Sequence, residues 1–325
     1  MRAQEQGLEK TKVNVSVRPL KGDDIPAADR IYRLAFGTFL GLPDPMKFDG
    51  DSGIIKTRWI AEPTSSFGAE VNGNLVGSNF VTNWGSVGGF GPLTVLPNLW
   101  DQGIGAKLIE PAMELFEKWG IRHIGFFARA HSPKNIGLYQ KFGFWPRFLT
   151  TIMSLPVKKE EPLSQVNLYS EVSDNKKEEH LEACREVTGS IYDGLDLERE
   201  IRAVNSQNLG DTLLLYDNSK VVGFAICHCG GGTEAGSGTC YIKFGVVRPG
   251  STTEQCFEQL LDACKSFASL RGMSRLVAGV NIGCNKAYRK MIERGFRTFI
   301  QGVAMHKPNE SGFYRADVYL INDWR

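Results

Sequence analysis

Two glycines and a phenol carry the most chemical information in this chain. Gly103 and Gly105 stand where a strand gives way to a helix, within Trp100-Asp101-Gln102-Gly103-Ile104-Gly105-Ala106. Tyr139 follows about 35 residues on, within Leu138-Tyr139-Gln140-Lys141-Phe142-Gly143-Phe144. Glycines at such a turn let main-chain N–H groups crowd toward a pyrophosphate, and the positive end of the helix that follows favours the same negative charge. A phenol at the far end of the next strand and helix could then protonate a thiolate leaving group.

The elements that must position these residues are legible around them. Ser86 to Leu96 carries small and apolar residues suited to a buried strand, and Pro97 stops the ladder. Leu108, Ile109, Ala112, Leu115, Phe116 and Trp119 repeat at helical spacing until Gly120. Ile121 to Ala128 reads as a short strand. Ser132-Pro133 then opens a second helix, a capping residue followed by proline, and Gly143 closes it.

With this order of elements the sequence resembles the GNAT superfamily of acyl-CoA-dependent N-acyltransferases. That family's turn is usually written Arg/Gln-X-X-Gly-X-Gly/Ala and its later helix Leu-Tyr-X-X-X-Gly-Phe. Gly103 and Gly105 match the first motif; Tyr139, Gly143 and Phe144 match the second. Trp100 stands where Arg or Gln is usual, and Ser132 where a CoA-contacting Asn is common. The resemblance implies acetyl-CoA, or another short acyl-CoA, as co-substrate, held by Leu93, Thr94, Val95, Trp100, Asp101, Gln102, Gly103, Ile104, Gly105, Ala106, Ser132 and Lys134. It implies direct attack by an amine on the thioester, with Tyr139 as catalytic acid. The acceptor would be a small-molecule amine or a peptide. A CoA-binding regulatory or interaction module without turnover is the competing reading.

The remainder of the chain looks like a second copy. Pro97 and Pro249, Leu108 and Leu260, and Gly143 and Gly295 each stand 152 residues apart, and a constant offset argues for duplication. The same offset sets Gln255 against Gly103, Phe257 against Gly105 and Met291 against Tyr139. Side chains would fill the phosphate space in the second copy and its proton donor would be missing, although Tyr288 lies one helical turn earlier. The expected fold is therefore α/β (mixed α+β): two tandem GNAT-like domains, each a mixed, mostly antiparallel central sheet flanked by helices. The expected organisation is a flexible N-terminus over 1–12, a catalytic domain over 13–157, a charged, proline-flanked linker over 158–165 and a degenerate domain over 166–325.

Finer expectations follow from local pattern. Val13, Val15 and Val17 alternate as an opening strand; Asn72-Gly73 turns a hairpin between 67–71 and 75–82; Val318 to Ile321 forms a last short strand. No Asp or Glu occurs between Asn72 and Pro97, so the general base must come from elsewhere: Asp44, Asp49 or Asp51 on the long loop, Glu70, or water. Phe36 and Trp84 could line an acceptor pocket. His131, before the second helix start, could touch an acceptor or the thioester, or simply bond to loop backbone; Arg129, like Lys134, could reach the cofactor's phosphates or simply be solvated.

Composition bounds the rest. Apolar residues at 42% suffice for two cores, and a net charge of +2 gives no electrostatic footprint for nucleic acid or a membrane surface. The polar amino terminus resembles neither a signal peptide nor an anchor. All seven cysteines follow residue 183 and read as free thiols of a cytoplasmic protein, monomeric or homodimeric. Cys227-His228-Cys229 with Cys240 lacks a second ligand pair, so no metal is expected.

Overall fold

The computed structural model describes residues 14–158 and 167–325. The N-terminal segment 1–12 and all but Lys158 of the expected linker lie outside the described residues, as do Val13 and Val166.

The first half runs β1 (Ser16–Pro19), α1 (Ile25–Phe39), α2 (Ile54–Ala61), β2 (Ser66–Val71), β3 (Asn74–Trp84), β4 (Val87–Phe90), β5 (Thr94–Val95), α3 (Ile104–Lys118), β6 (His123–Ala128), α4 (Pro133–Gln140) and β7 (Trp145–Pro156). The second half runs β8 (Asn167–Leu168), α5 (Asp174–Gly189), α6 (Glu198–Gln207), β9 (Gly210–Asp217), β10 (Lys220–Gly230), β11 (Gly236–Val247), α7 (Thr253–Leu270), β12 (Arg275–Asn281), α8 (Asn285–Glu293), β13 (Arg297–Lys307) and β14 (Leu320–Asn322). Asn72 and Gly73 turn the β2–β3 hairpin at φ +51° and +75°, a left-handed pair that suits the strands' own twist.

All fourteen strands join one sheet, ordered β1-β2-β3-β4-β6-β13-β7-β12-β11-β10-β9-β8, with β5 on β3 and β14 on β11. Among the described residues only the β4–β6 and β11–β12 pairs are parallel. The halves interleave: β13 lies between β6 and β7, and β7 lies between β13 and β12. Each half therefore supplies a strand that satisfies the backbone N–H and C=O groups of the other.

The expected single strand from Ser86 to Leu96 is two strands. Gly91 and Pro92 interrupt it, and proline cannot donate to a ladder. Before the break β4 pairs with β6 only at Val87–His123 and Gly88–Ile124; after it, β5 turns back onto β3. The two parallel strands consequently splay apart from Gly89 and Gly125 onward.

Alternation across β6 gives each sheet face its own core. Ile124, Phe126 and Ala128 join Ile104, Leu108, Ile109, Ala112 and Phe116 beneath α3 and α4. Gly125 and Gly89 face the other way, against Trp324, which stacks on Trp84 with ring centroids 4.8 Å apart. A Cβ at Gly125 would lie 2.7 Å from the Trp324 ring. Gly125→Ala is therefore expected to cost about 1–3 kcal/mol by overpacking, read as a lower urea midpoint at unchanged slope. Among the described residues no helix is long and apolar enough to cross a membrane.

Candidate active site

The apolar face of α3 fixes where its amino end lies. Ile104, Leu108 and Ile109 are at most 1% exposed, so the helix start is held at the open edge of the splay. Gly103 caps it at φ +78° with nothing within 4 Å of an added Cβ, and Asp101 is also left-handed at φ +67°. The first intrahelical bond runs from Lys107 N–H to the Gly103 carbonyl, which leaves the N–H groups of Ile104, Gly105 and Ala106 for an outside acceptor. At Gly105 a Cβ would touch only Leu138, at 3.3 Å. The turn is therefore bare on the side that an anion would approach.

Trp100 has a structural task where the family's Arg or Gln would reach out. Its indole N–H donates to the Val95 carbonyl at 2.8 Å and ties the turn to β5. Lys134 of α4 crosses the mouth, 2.6 Å from Asp101 and 5.7 Å from the Trp100 ring centroid, with its ammonium exposed beside the helix start. Ser132 is spent on capping α4, accepting from Asn135 N–H at 3.4 Å. Gln102 keeps a buried Oε1 without a partner. Thr94 is buried and its hydroxyl lies 3.2 Å from that of Ser78.

Tyr139 lies on α4 over the splay. Its ring is 4.5 Å from that of Phe126 and 6.1 Å from that of Phe90, and these two rings face each other at 4.3 Å. Burial among them pushes the phenol up to about 12, so at neutral pH it holds its proton. The structure thus gathers the glycine turn, Lys134 and Tyr139 along one margin of the sheet.

At the offset positions the second half differs from the first: Gln255 and Phe257 lie inside a helix and not at its entry turn. Helix α7 begins at Thr253 and Phe257 is fully buried against Tyr319, ring centroids 5.2 Å apart. Met291 is also fully buried. Sequence reading did not foresee what fills the corresponding splay. Pairing of β11 with β12 ends at Ile242–Ala278, and the gap beyond is closed by β14, which pairs Leu320 with Val246 and Asn322 with Phe244.

The acids weighed as a base are already engaged. Asp44 caps a short turn through Met46 N–H, Glu70 pairs with Arg18, and Asp51 accepts from Ser237 N–H and hydroxyl at 2.8 and 2.6 Å. Asp49 accepts from the Tyr32 hydroxyl at 2.8 Å. His131 stacks on Phe39 at 5.3 Å, Phe36 on Phe48 at 5.2 Å. The free thiols of Cys227 and Cys229 both hydrogen-bond with Cys240, and Cys227 also with Cys264 of α7; no group of three His, Cys, Asp or Glu among the described residues is arranged to hold a metal.

The sequence reading also missed a buried ion lattice between the halves. Arg58 of α2 grips Glu234, and Lys243 of β11 sits 2.9 Å from both Glu234 and Glu200, whose other oxygen accepts from the Trp84 indole at 3.1 Å. Burial works against the Glu234 carboxylate, yet Arg58 and Lys243 outweigh it and hold it well below the usual range. One signal was available: Lys243 is a lone charge within Tyr241-Ile242-Lys243-Phe244-Gly245-Val246, where a buried strand should carry none unless it is paired.

With this geometry in view, residues 28–144 match the Acetyltransferase (GNAT) family model. Within those residues the chain carries a GNAT-type acetyltransferase domain. Solved structures extend the likeness in fold to the second half. A candidate acetyltransferase from Pyrococcus horikoshii superposes with a TM-score of 0.67 at 16% identity, over 98% of this chain and 97% of its own. A GCN5-related N-acetyltransferase from Sphaerobacter thermophilus gives 0.61 at 16%, over 90% and 95%. The glucosamine N-acetyltransferase region of a fungal multi-domain β-N-acetylglucosaminidase gives 0.61 at 13%, over 91% of this chain and 38% of that one. No curated protein matches the sequence. The matched domain supports acyl transfer in general.

Proposed function

We propose that this protein is a tandem acetyltransferase that moves an acetyl or other short acyl group from acyl-CoA to an amine, with the first half as its working half. The bare turn at Gly103–Ala106 is the observation that carries this reading. Three helix-start N–H groups and the nearby Lys134 suit a pyrophosphate, whereas β14 closes the corresponding splay of the second half.

Acyl-CoA brings the activated carbonyl, and the amine nitrogen forms its bond to that carbon as the carbon–sulfur bond breaks. Backbone N–H groups beyond Gly91 suit the developing charge on the carbonyl oxygen. Tyr139 gives its proton to the departing sulfur, and the proton lost by the amine leaves through water, which fits the engagement of every candidate acid. Holding both reactants across one splay supplies proximity. The seven free thiols, six of them buried, fit a reducing, cytoplasmic setting.

The test is thiol release from acetyl-CoA over a panel of amines, with the N-acetyl product identified by mass. Thiol and N-acetyl product should appear in equal amounts. Acetyl-CoA binding with no product from any amine would favour a CoA-binding module without turnover.

A further inference from the structure

On the face of the sheet opposite the cofactor turn, a cavity touches both edges of the splay, Gly89 and Phe90 on one side and Gly125 on the other. Trp324 forms its floor, its carbonyl accepting from Phe127 N–H at 3.3 Å. The charged side chains lining it are Arg58, Lys243 and Arg325, all cations; the carboxylates that match the first two stand behind them, in the ion lattice.

Two guanidinium groups here keep donors to spare. Arg325 lies over the Tyr241 ring at 4.4 Å and donates through Nε to Asp323 at 2.9 Å, but its buried Nη2 has no partner among the described residues. Arg129 follows β6 on the same face as Gly125 and Phe127, 5.9 Å from the Phe127 ring centroid, and no carboxylate pairs with it among the described residues. Burial and the charge of Arg325 both press on the Arg129 guanidinium and lower its pKa. Asp49, whose charge also reaches Arg325, is engaged by Tyr32. Unmatched, half-buried guanidinium donors are costly unless an anion completes them, and their fork geometry suits a carboxylate.

We propose that the acceptor is a small amine bearing a carboxylate, which docks on Arg325 and Arg129 while the amine faces the splay, so that the second half sets acceptor choice. The proposal deepens the acyl-transfer reading and rests on it for the direction in which the amine points. The anion site itself can be tested without turnover.

The probes are N-acetylated amino acids, which carry the product's amide and carboxylate, each measured by calorimetry on the full chain against its primary carboxamide. At least one carboxylate probe should bind about tenfold more tightly than its carboxamide. Arg325→Gln and Arg129→Gln should each erase that preference while acetyl-CoA binding stays intact, and Arg129→Lys, which keeps the charge, should restore part of it. Equal binding of each pair, no binding by any carboxylate probe, or a preference that survives both glutamine variants would overturn the proposal. A preference seen in a protein that neither binds nor uses acyl-CoA would leave the anion site standing and remove the acyl-transfer reading; transfer confined to uncharged amines would do the reverse.

Discussion

Tyr139→Phe lowers kcat by about 10²–10⁴-fold and leaves acetyl-CoA affinity unchanged, the span general-acid catalysis ordinarily covers. The substitution removes one oxygen from a ring wedged between Phe90 and Phe126 and keeps the packing. That hydroxyl has no hydrogen-bond partner among the described residues, so nothing in the fold depends on it. Because burial holds the phenol near 12, it is protonated throughout the neutral range, and the loss should be flat with pH below that value. Steady-state thiol release measures kcat, and titration of acetyl-CoA measures affinity. A variant with wild-type kcat would assign proton donation to water or another group.

The second large effect is on stability in mild acid. Burial depresses His123 to about 3, and His228 and His306 to about 4, against an unfolded value near 6.5. Each is neutral in the fold, so the unfolded chain binds the extra protons. Their contribution is fully present above about pH 6.5 and is lost as pH falls toward 4. Each histidine forfeits about 2 kcal/mol by pH 5, on the order of 4–6 kcal/mol together. Urea unfolding at pH 7 and pH 5 measures the difference. His123, whose two ring nitrogens have no partner, offers the cleanest control: His123→Leu should remove about a third of the pH dependence. An unchanged midpoint between the two pH values would contradict the account.

What the sequence disclosed is what local physics dictates. Gly103 was legible because a left-handed helix cap favours glycine, and α3 because its buried residues recur at helical spacing. Asn72-Gly73 announced its hairpin for a similar reason, whereas the 152-residue offset set Phe257 at an entry turn and the structure has it inside α7, buried against Tyr319. The features that stayed hidden are those made by distant partners. Nothing near β7 says that it will lie between β12 and β13, since pairing partners are chosen by the whole sheet. Arg58 and Glu234 are 176 residues apart, and nothing in the sequence around either names the other. The last strand was visible as a strand, yet its place in the second splay depends on β11 and β12 having already parted.

The central claim is that the turn at Gly103–Ala106 is the seat of acyl-CoA. Calorimetric titration of acetyl-CoA into the wild-type chain and into Gly105→Glu tests it most directly, with circular dichroism confirming that the variant folds. A glutamate there adds bulk and negative charge at the helix start, its Cβ meets only Leu138, and the residues on the buried face of α3 are unchanged. The account predicts one equivalent bound by the wild type and affinity reduced about 100-fold or more in Gly105→Glu. Undiminished binding by Gly105→Glu would place the nucleotide elsewhere and contradict it.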